Sequence, residues 1–328
     1  GDAHPSASPF AALARRLSRF SGGDKAHELL CAALSANTVY QYAAHWRTFV
    51  HWCARNNCDA LPASSDMVLA FVGYLALTGR VHANSLQPYL SAINAAHADQ
   101  ALPKPALGHM LRRARQGFRR LVTQQRPRDT RVPVPAEVIV RVLHYGLQVN
   151  GLQELRACYA VVLTWLFLGR QDTSVRLRTE DHGLTGHDIW LRLSEKTSRC
   201  SGLQRIVRLP STVVQEPPSL LPMVGRLASR YTEARTNVLC GSCPPPFFFQ
   251  LPKEPPPTTA AMSKWVKLTL KYVRAAPPTG FVYLGHSLRS GGASAAEAIG
   301  VPAARANWLG GWAVGSGTRE RHYVDPTV

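Results

Sequence analysis

The chain has 328 residues, 45% of them hydrophobic, enough for two domains with cores of their own. No apolar run reaches the ~18 residues that a membrane-spanning helix needs, and the opening Gly1-Asp2-Ala3-His4-Pro5 lacks the charged start and apolar core of a signal peptide, so no membrane partner and an intracellular location are expected. The 38 Lys and Arg against 20 Asp and Glu leave a formal net charge of +18, which repels itself unless a polyanion is present and so implies nucleic acid as partner.

Residues 1–34 are rich in Ala, Ser and Gly with a basic piece at Arg15-Arg16-Leu17-Ser18-Arg19, and read either as a flexible arm or as a first short helix. A helical domain is expected over 35–123. Its first helix starts near Asn37-Thr38 and places Tyr42, Trp46, Phe49 and Cys53 on one face. A second, capped by Ser64-Ser65-Asp66, is apolar nearly all round to Leu77 and is expected to be buried. The third carries Leu86, Leu90, Ile93 and His97 on one side, where His97 reads as a hydrogen-bonded core residue. A fourth opens near Pro105; Met110, Ala114, Gly117 and Leu121 are read as its packing stripe, while Arg112, Arg113, Arg115, Arg119 and Arg120 face outward. Five arginines with no acid between them repel one another in water, and phosphate contact accounts for them better than a solvated face does.

The polar, basic, Pro-punctuated stretch 124–135, with Arg128 and Arg131 as further candidates for DNA contact, reads as a linker. A second domain over 136–328 begins with a helix from Pro135 to about Leu147. A longer helix follows from Leu152 to Leu168, apolar through Val161-Val162-Leu163-Thr164-Trp165-Leu166-Phe167, and so central to the core. Asp188–Leu193 and Arg205–Pro210 predict a β-hairpin, 219–235 and 259–274 predict helices, and Phe247-Phe248-Phe249 predicts a short buried segment. The fold class is therefore mainly α with a small antiparallel sheet, in two domains that suit a clamp. The seven cysteines are odd in number and scattered, which fits a reducing compartment; Cys240-Gly-Ser-Cys243 reads as free thiols in a loop ahead of a zinc pair.

The last forty-odd residues carry the chemistry. His286 and Arg289, three apart, share one face of a helical turn; Trp312 and then Tyr323 follow. Arginine neutralises a phosphate oxygen, histidine donates a hydrogen bond or handles a proton, and a phenol attacks. In this order the set resembles the signature of the tyrosine recombinases (the phage-integrase family). Gly169-Arg170 falls at the family's first catalytic arginine, with Leu177 and Asp181 in register after it, although Thr173 stands where the family carries Glu. Lys196, in the turn of the predicted hairpin, falls at the catalytic lysine, and no other lysine occurs between 105 and 252. Leu309-Gly310-Gly311-Trp312 is similar to the Leu-Gly-His box with Trp in place of His, and Trp308 beside it reads as core. His286-Ser-Leu-Arg-Ser-Gly-Gly-Ala-Ser294 looks most like eukaryotic mobile-element recombinases of the Crypton and DIRS/Ngaro type, which implies work in a nucleus.

The resemblance implies cutting of double-stranded DNA by Tyr323 to a 3′-phosphotyrosyl link. Arg170, Arg289, His286 and Trp312 would stabilise the transition state and Lys196 would protonate the leaving 5′ oxygen. It implies no metal and no cofactor, and self-assembly to a dimer or tetramer around DNA. A nick-and-reseal enzyme like the type IB topoisomerases, and a DNA-binding protein that has lost the chemistry, are the competing readings.

Overall fold

The computed structural model describes residues 11–125, 130–185, 188–194, 204–209, 220–239, 243–312 and 317–324. Two compact units meet in sequence between Arg128 and Asp129.

The first unit is all helical: α1 (Ala11–Leu17), α2 (Gly23–Ala32), α3 (Ala36–Arg55), α4 (Ser65–Thr78), α5 (Leu86–Asp99) and α6 (His109–Gln125). Of the two readings of the N-terminal stretch, the helical one applies, twice over. The amide of Leu13 donates to Asp99 Oδ1 (2.7 Å), which ties α1 to the end of α5. A Cβ on Gly23 would lie 1.7 Å from the Leu17 carbonyl oxygen, so the tight corner between α1 and α2 needs glycine. Ser35 and Ser64 accept from the amides of Thr38 and Met67 and so start α3 and α4. Packing of α3 on α5 and of α4 on α6 closes a core of Phe49, Phe71, Leu75, Leu90, Ile93, Leu111, Phe118 and Val122. His97 sits inside it as a satisfied residue: Nδ1 donates to the Ile93 carbonyl (2.8 Å) and Nε2 accepts from the Ala63 amide (2.9 Å).

Two expectations about this unit are corrected. Leu77 is 89% exposed, because α4 buries only the face of Val68, Phe71, Val72 and Leu75. On α6, Met110 and Leu121 are also exposed, and the stripe that packs is Leu111, Ala114, Phe118 and Val122. The two stripes share Ala114 but elsewhere differ by one residue, about 100° around the helix. The bulk of Phe118 against the missing side chain of Gly117 decides between them.

The second unit surrounds α8 (Leu152–Leu166), buried without a break from Leu155 to Trp165. Against it pack α7 (Ala136–Gln148), α10 (Leu221–Leu239), α11 (Thr259–Tyr272) and α12 (Gly285–Ala298). After the short α9 (Gln171–Val175) comes an antiparallel sheet in the order β2 (His182–Thr185), β3 (Asp188–Ser194), β4 (Gln204–Leu209). Leu191 lies opposite both His182 and Val207, and Ile189, Leu191, Leu193 and Val207 face the core at the period of two that a half-buried sheet requires. Thus the expected hairpin has a third strand, one whose His-Gly-Leu-Thr sequence carries little strand signal. Phe248 and Phe249 are buried as expected. A further two-residue pair, β1 (Thr130–Arg131) parallel to β5 (Phe281–Val282), was not foreseeable from periodicity. The chain closes with α13 (Ala303–Gly310) and α14 (Thr318–His322). No described helix is long and apolar enough to cross a membrane.

Candidate active site

The site assembles where the C-terminal end of α8, the start of α12 and the last two helices converge. Beyond α8 the backbone turns through Leu168 at a φ of 50°, and the Gly169 amide donates to the Thr164 carbonyl (2.8 Å). This presents Arg170 as the exposed residue that caps α9. The carbonyl of Leu168 accepts from Nη1 of Arg289, so the segment bearing one arginine is held by the side chain of the other. Next to Arg170, Gln171 fills the space beside Gly285: a Cβ there would lie 1.8 Å from the Gln171 carboxamide carbon. The residue before His286 and the side chain after Arg170 thus share one space, and a larger residue at 285 would displace the Gln171 carboxamide.

Small residues let α12 come this close. Cβ atoms on Gly291 and Gly292 would meet the carbonyl oxygens of Val134 and Trp165 at 2.0 and 2.2 Å. The same approach fixes the strand ahead of α7. Val132 N donates to the Val282 carbonyl (3.3 Å), Val134 N to the Ser287 carbonyl (2.9 Å), and Trp165 Nε1 to the Val134 carbonyl (2.9 Å). Arg131, on this stitched segment, lines a cleft of about 480 Å³ together with His286, Ser290 and Tyr323.

Arg289 is 1% exposed. Its guanidinium carbon lies 3.8 Å from the centre of the Trp312 ring and 5.0 Å from that of Tyr323, both cation–π distances. Trp312 follows Gly311, whose φ of 65° ends α13, and its ring packs so tightly on Gly310 that a Cβ there would lie 1.9 Å from it. The buried indole Nε1 of Trp312 has no hydrogen-bond partner among the described residues. A donor left unsatisfied inside a protein costs free energy unless something completes it, which fits a ligand oxygen. Tyr323 is half-buried, its ring 5.3 Å from Trp312 and stacked at 6.3 Å on His286. His286 keeps an exposed face, yet its pKa is lowered, first by desolvation and then by the positive charges of Arg131, Arg289 and Arg170. Three guanidiniums thus act on one imidazole, an arrangement that favours an anion among them.

Of the residues singled out in the sequence, His286, Arg289, Trp312 and Tyr323 come into mutual contact, and Arg170 lies within their electrostatic range. Arg131, read only as a linker contact, lines the same cleft. Arg112, Arg113, Arg115, Arg119 and Arg120 are exposed on α6 of the other unit. Lys196, Arg128 and Cys240 lie outside the described residues. Trp308, read as core, is 57% exposed, because the inward face of α13 is taken by Ala306 and Gly310. Among the described residues no cluster of three or more His, Cys, Asp or Glu is placed to hold a metal ion. Sequence reasoning passed over Gln171 and Arg319; the one signal for Gln171 is its place beside Arg170.

No protein-family model and no curated protein matches the sequence. Solved structures do resemble it. A post-cleavage complex of the XerH site-specific recombinase bound to a palindromic difH substrate aligns with a TM-score of 0.60 at 12% identity, over 93% of this chain and 80% of that one. The Tn1549 transposon integrase (residues 82–397), in complex with circular intermediate DNA, aligns at 0.56 and 12% identity, over 98% and 96%. A lambda integrase dimer (residues 75–356) bound to a COC′ core site aligns at 0.55 and 13%, over 92% and 93%. The fold is that of the tyrosine recombinases. Identity this low carries the fold and leaves the chemistry to be argued from the cleft.

Proposed function

We propose that this chain is a site-specific DNA recombinase or integrase that cuts and rejoins duplex DNA through Tyr323. The observation that carries the reading is the contact of a half-buried tyrosine with a buried arginine, a tryptophan with an unsatisfied N–H and an imidazole ringed by guanidiniums. A phosphodiester satisfies all of them. Its non-bridging oxygens take the charge of Arg289 and Arg170 and the indole proton of Trp312, and His286 supplies a further hydrogen bond. The Tyr323 phenol gives its proton to water in the open cleft and attacks phosphorus, forming the 3′-phosphotyrosyl bond as the bond to the 5′ oxygen breaks. That oxygen leaves as a hydroxyl, its proton supplied by Lys196 on the strength of the family resemblance. Attack by a 5′-hydroxyl of a partner strand reverses the step and restores tyrosine. Exchange needs two duplexes, so assembly to a dimer or tetramer on DNA belongs to the reading. Arg112 to Arg120 on α6 would supply sequence-independent affinity for the phosphate backbone. The mobile-element character rests on the likeness of residues 286–294 and 310–312 to Crypton and DIRS/Ngaro-type enzymes.

The test is covalent trapping on DNA carrying the element's termini, nicked beside the scissile phosphate so that the 5′ fragment escapes. A protein–DNA band on a denaturing gel is expected from the wild-type chain. Tyr323→Phe should bind the same DNA and give no band. A band that persists in Tyr323→Phe overturns the assignment of the nucleophile; salt-sensitive binding of the correct site with no band from the wild type leaves only a DNA-binding protein.

A further inference from the structure

We propose that Arg319 is a positioning residue that latches the tyrosine segment onto α12 through Glu297, holding Tyr323 against the Arg289 and Trp312 of its own chain. The inference rests on the reading of Tyr323 as nucleophile. Five residues make α14 too short to be stable alone, and it is entered through Gly317 at a φ of 55°. Something else must hold it.

Arg319 is 1% exposed, an unusual state for an arginine in a run of charged residues. Its Nη1 donates to Glu297 Oε2 (2.7 Å), and Nε and Nη2 lie 3.1 and 3.0 Å from Glu320 Oε1. Its carbonyl accepts from the amides of Tyr323 (2.8 Å) and Val324 (3.1 Å). One residue thus fixes the backbone of the tyrosine and reaches across to the last turn of the helix whose first turn bears His286 and Arg289. Glu297 and Glu320 themselves stay partly open to solvent. A guanidinium buried without its carboxylates is costly, so losing Glu297 favours release of the whole segment. Released, the phenol leaves Arg289 and Trp312, and the reacting atoms lose the approach that catalysis depends on.

The experiment measures the rate of covalent capture at saturating nicked DNA, with affinity measured separately. Arg319→Ala is expected to slow capture roughly a hundredfold with unchanged affinity, the size of effect that a misplacement of about 1 Å produces. Glu297→Gln removes the same partner from the solvent end of α12 and keeps the test open should Arg319→Ala fail to fold; a smaller loss is expected. Exchanging the pair (Glu297→Arg with Arg319→Glu) should recover part of the rate, as a merely space-filling role would not allow. A mixture of Tyr323→Phe with Arg289→Lys, both latches intact, should capture DNA no faster than Arg289→Lys alone. Wild-type capture rates in both Arg319→Ala and Glu297→Gln, or capture by that mixture faster than by Arg289→Lys alone, overturns the latch and leaves the nucleophile assignment standing. Failure of the wild type itself to capture DNA would instead remove the reading on which the latch rests.

Discussion

The same side chain serves two purposes in the two units. On α6 five arginines stand exposed on a helix that carries no acid, and Arg112, Arg115 and Arg119 line a groove of about 230 Å³ with Asn84 and Gln87. In the other unit Arg289 is buried, bonded to the Leu168 carbonyl and within cation–π distance of both Trp312 and Tyr323. An exposed guanidinium is mobile, well hydrated and screened within about 8–10 Å at ordinary salt. It contributes attraction without geometry. A buried guanidinium packed against two rings is held in one place and shielded from water, where its charge counts for far more. The contrast separates affinity from chemistry, and each can be broken without the other.

The largest effect is expected in the cleft. Arg289→Lys keeps the charge but loses the planar fork that reaches the Leu168 carbonyl and sits over the Trp312 ring. Capture at saturating DNA should fall about a hundred- to a thousandfold, the range found when one transition-state donor is removed, while DNA affinity stays within about twofold by the same separation of roles. If affinity drops in step with capture, the buried arginine is a binding residue like those of α6 and the distinction collapses.

A smaller and opposite result is expected on α6. Replacing Arg112, Arg115 and Arg119 together by Gln should weaken binding at physiological salt by roughly ten- to a hundredfold and flatten the plot of log affinity against log salt by about 0.9 for each phosphate that is no longer neutralised. Because Leu111, Phe118 and Val122 hold the helix from its other side, the fold should be retained. The capture rate, once DNA is raised to saturation, should be that of the wild type. An unchanged salt slope would show that this face does not meet the phosphates.

The two regions also differ in how far they could be read from sequence. The guanidinium face of α6 is visible as a local pattern, but the apolar stripe that opposes it turns on Phe118 against Gly117, since Met110/Leu121 and Leu111/Val122 are otherwise alike. In the second unit the unbroken apolar run of α8 announces its place, and the order His286, Arg289, Trp312, Tyr323 marks residues that the fold brings into contact. What escaped is carried by contacts remote in sequence. Two residues of β1 against two of β5 have no periodicity to betray them, and with them went the reason why Arg131 faces His286. Arg319 carries no local signal of burial; its contact with Glu297, on another helix, is not visible in the sequence. Gly285 is legible as a small residue, whereas the Gln171 side chain packed beside it is not.

The finest test of the comparison is a titration. Desolvation, then Arg131, Arg289 and Arg170, hold the His286 pKa below its ordinary 6.5, so the free protein carries a neutral imidazole at pH 7. Because the folded value lies below the unfolded one, the contribution to stability is full above the unfolded pKa and is lost as pH falls from there through the folded value. Replacing Arg131 by Gln removes one positive neighbour and must move the midpoint upward, toward 6.5. A bound phosphodiester, which neutralises the surrounding guanidiniums, must move it the same way. Replacing Arg113 on α6 should not move it at all. Imidazole resonances followed by NMR across roughly pH 4–8, with His286→Gln for assignment, measure all three. A midpoint unmoved by Arg131→Gln would detach that residue from the cleft and return it to the linker surface, while an upward shift with unchanged DNA affinity would make it a cleft residue in function as well as in position.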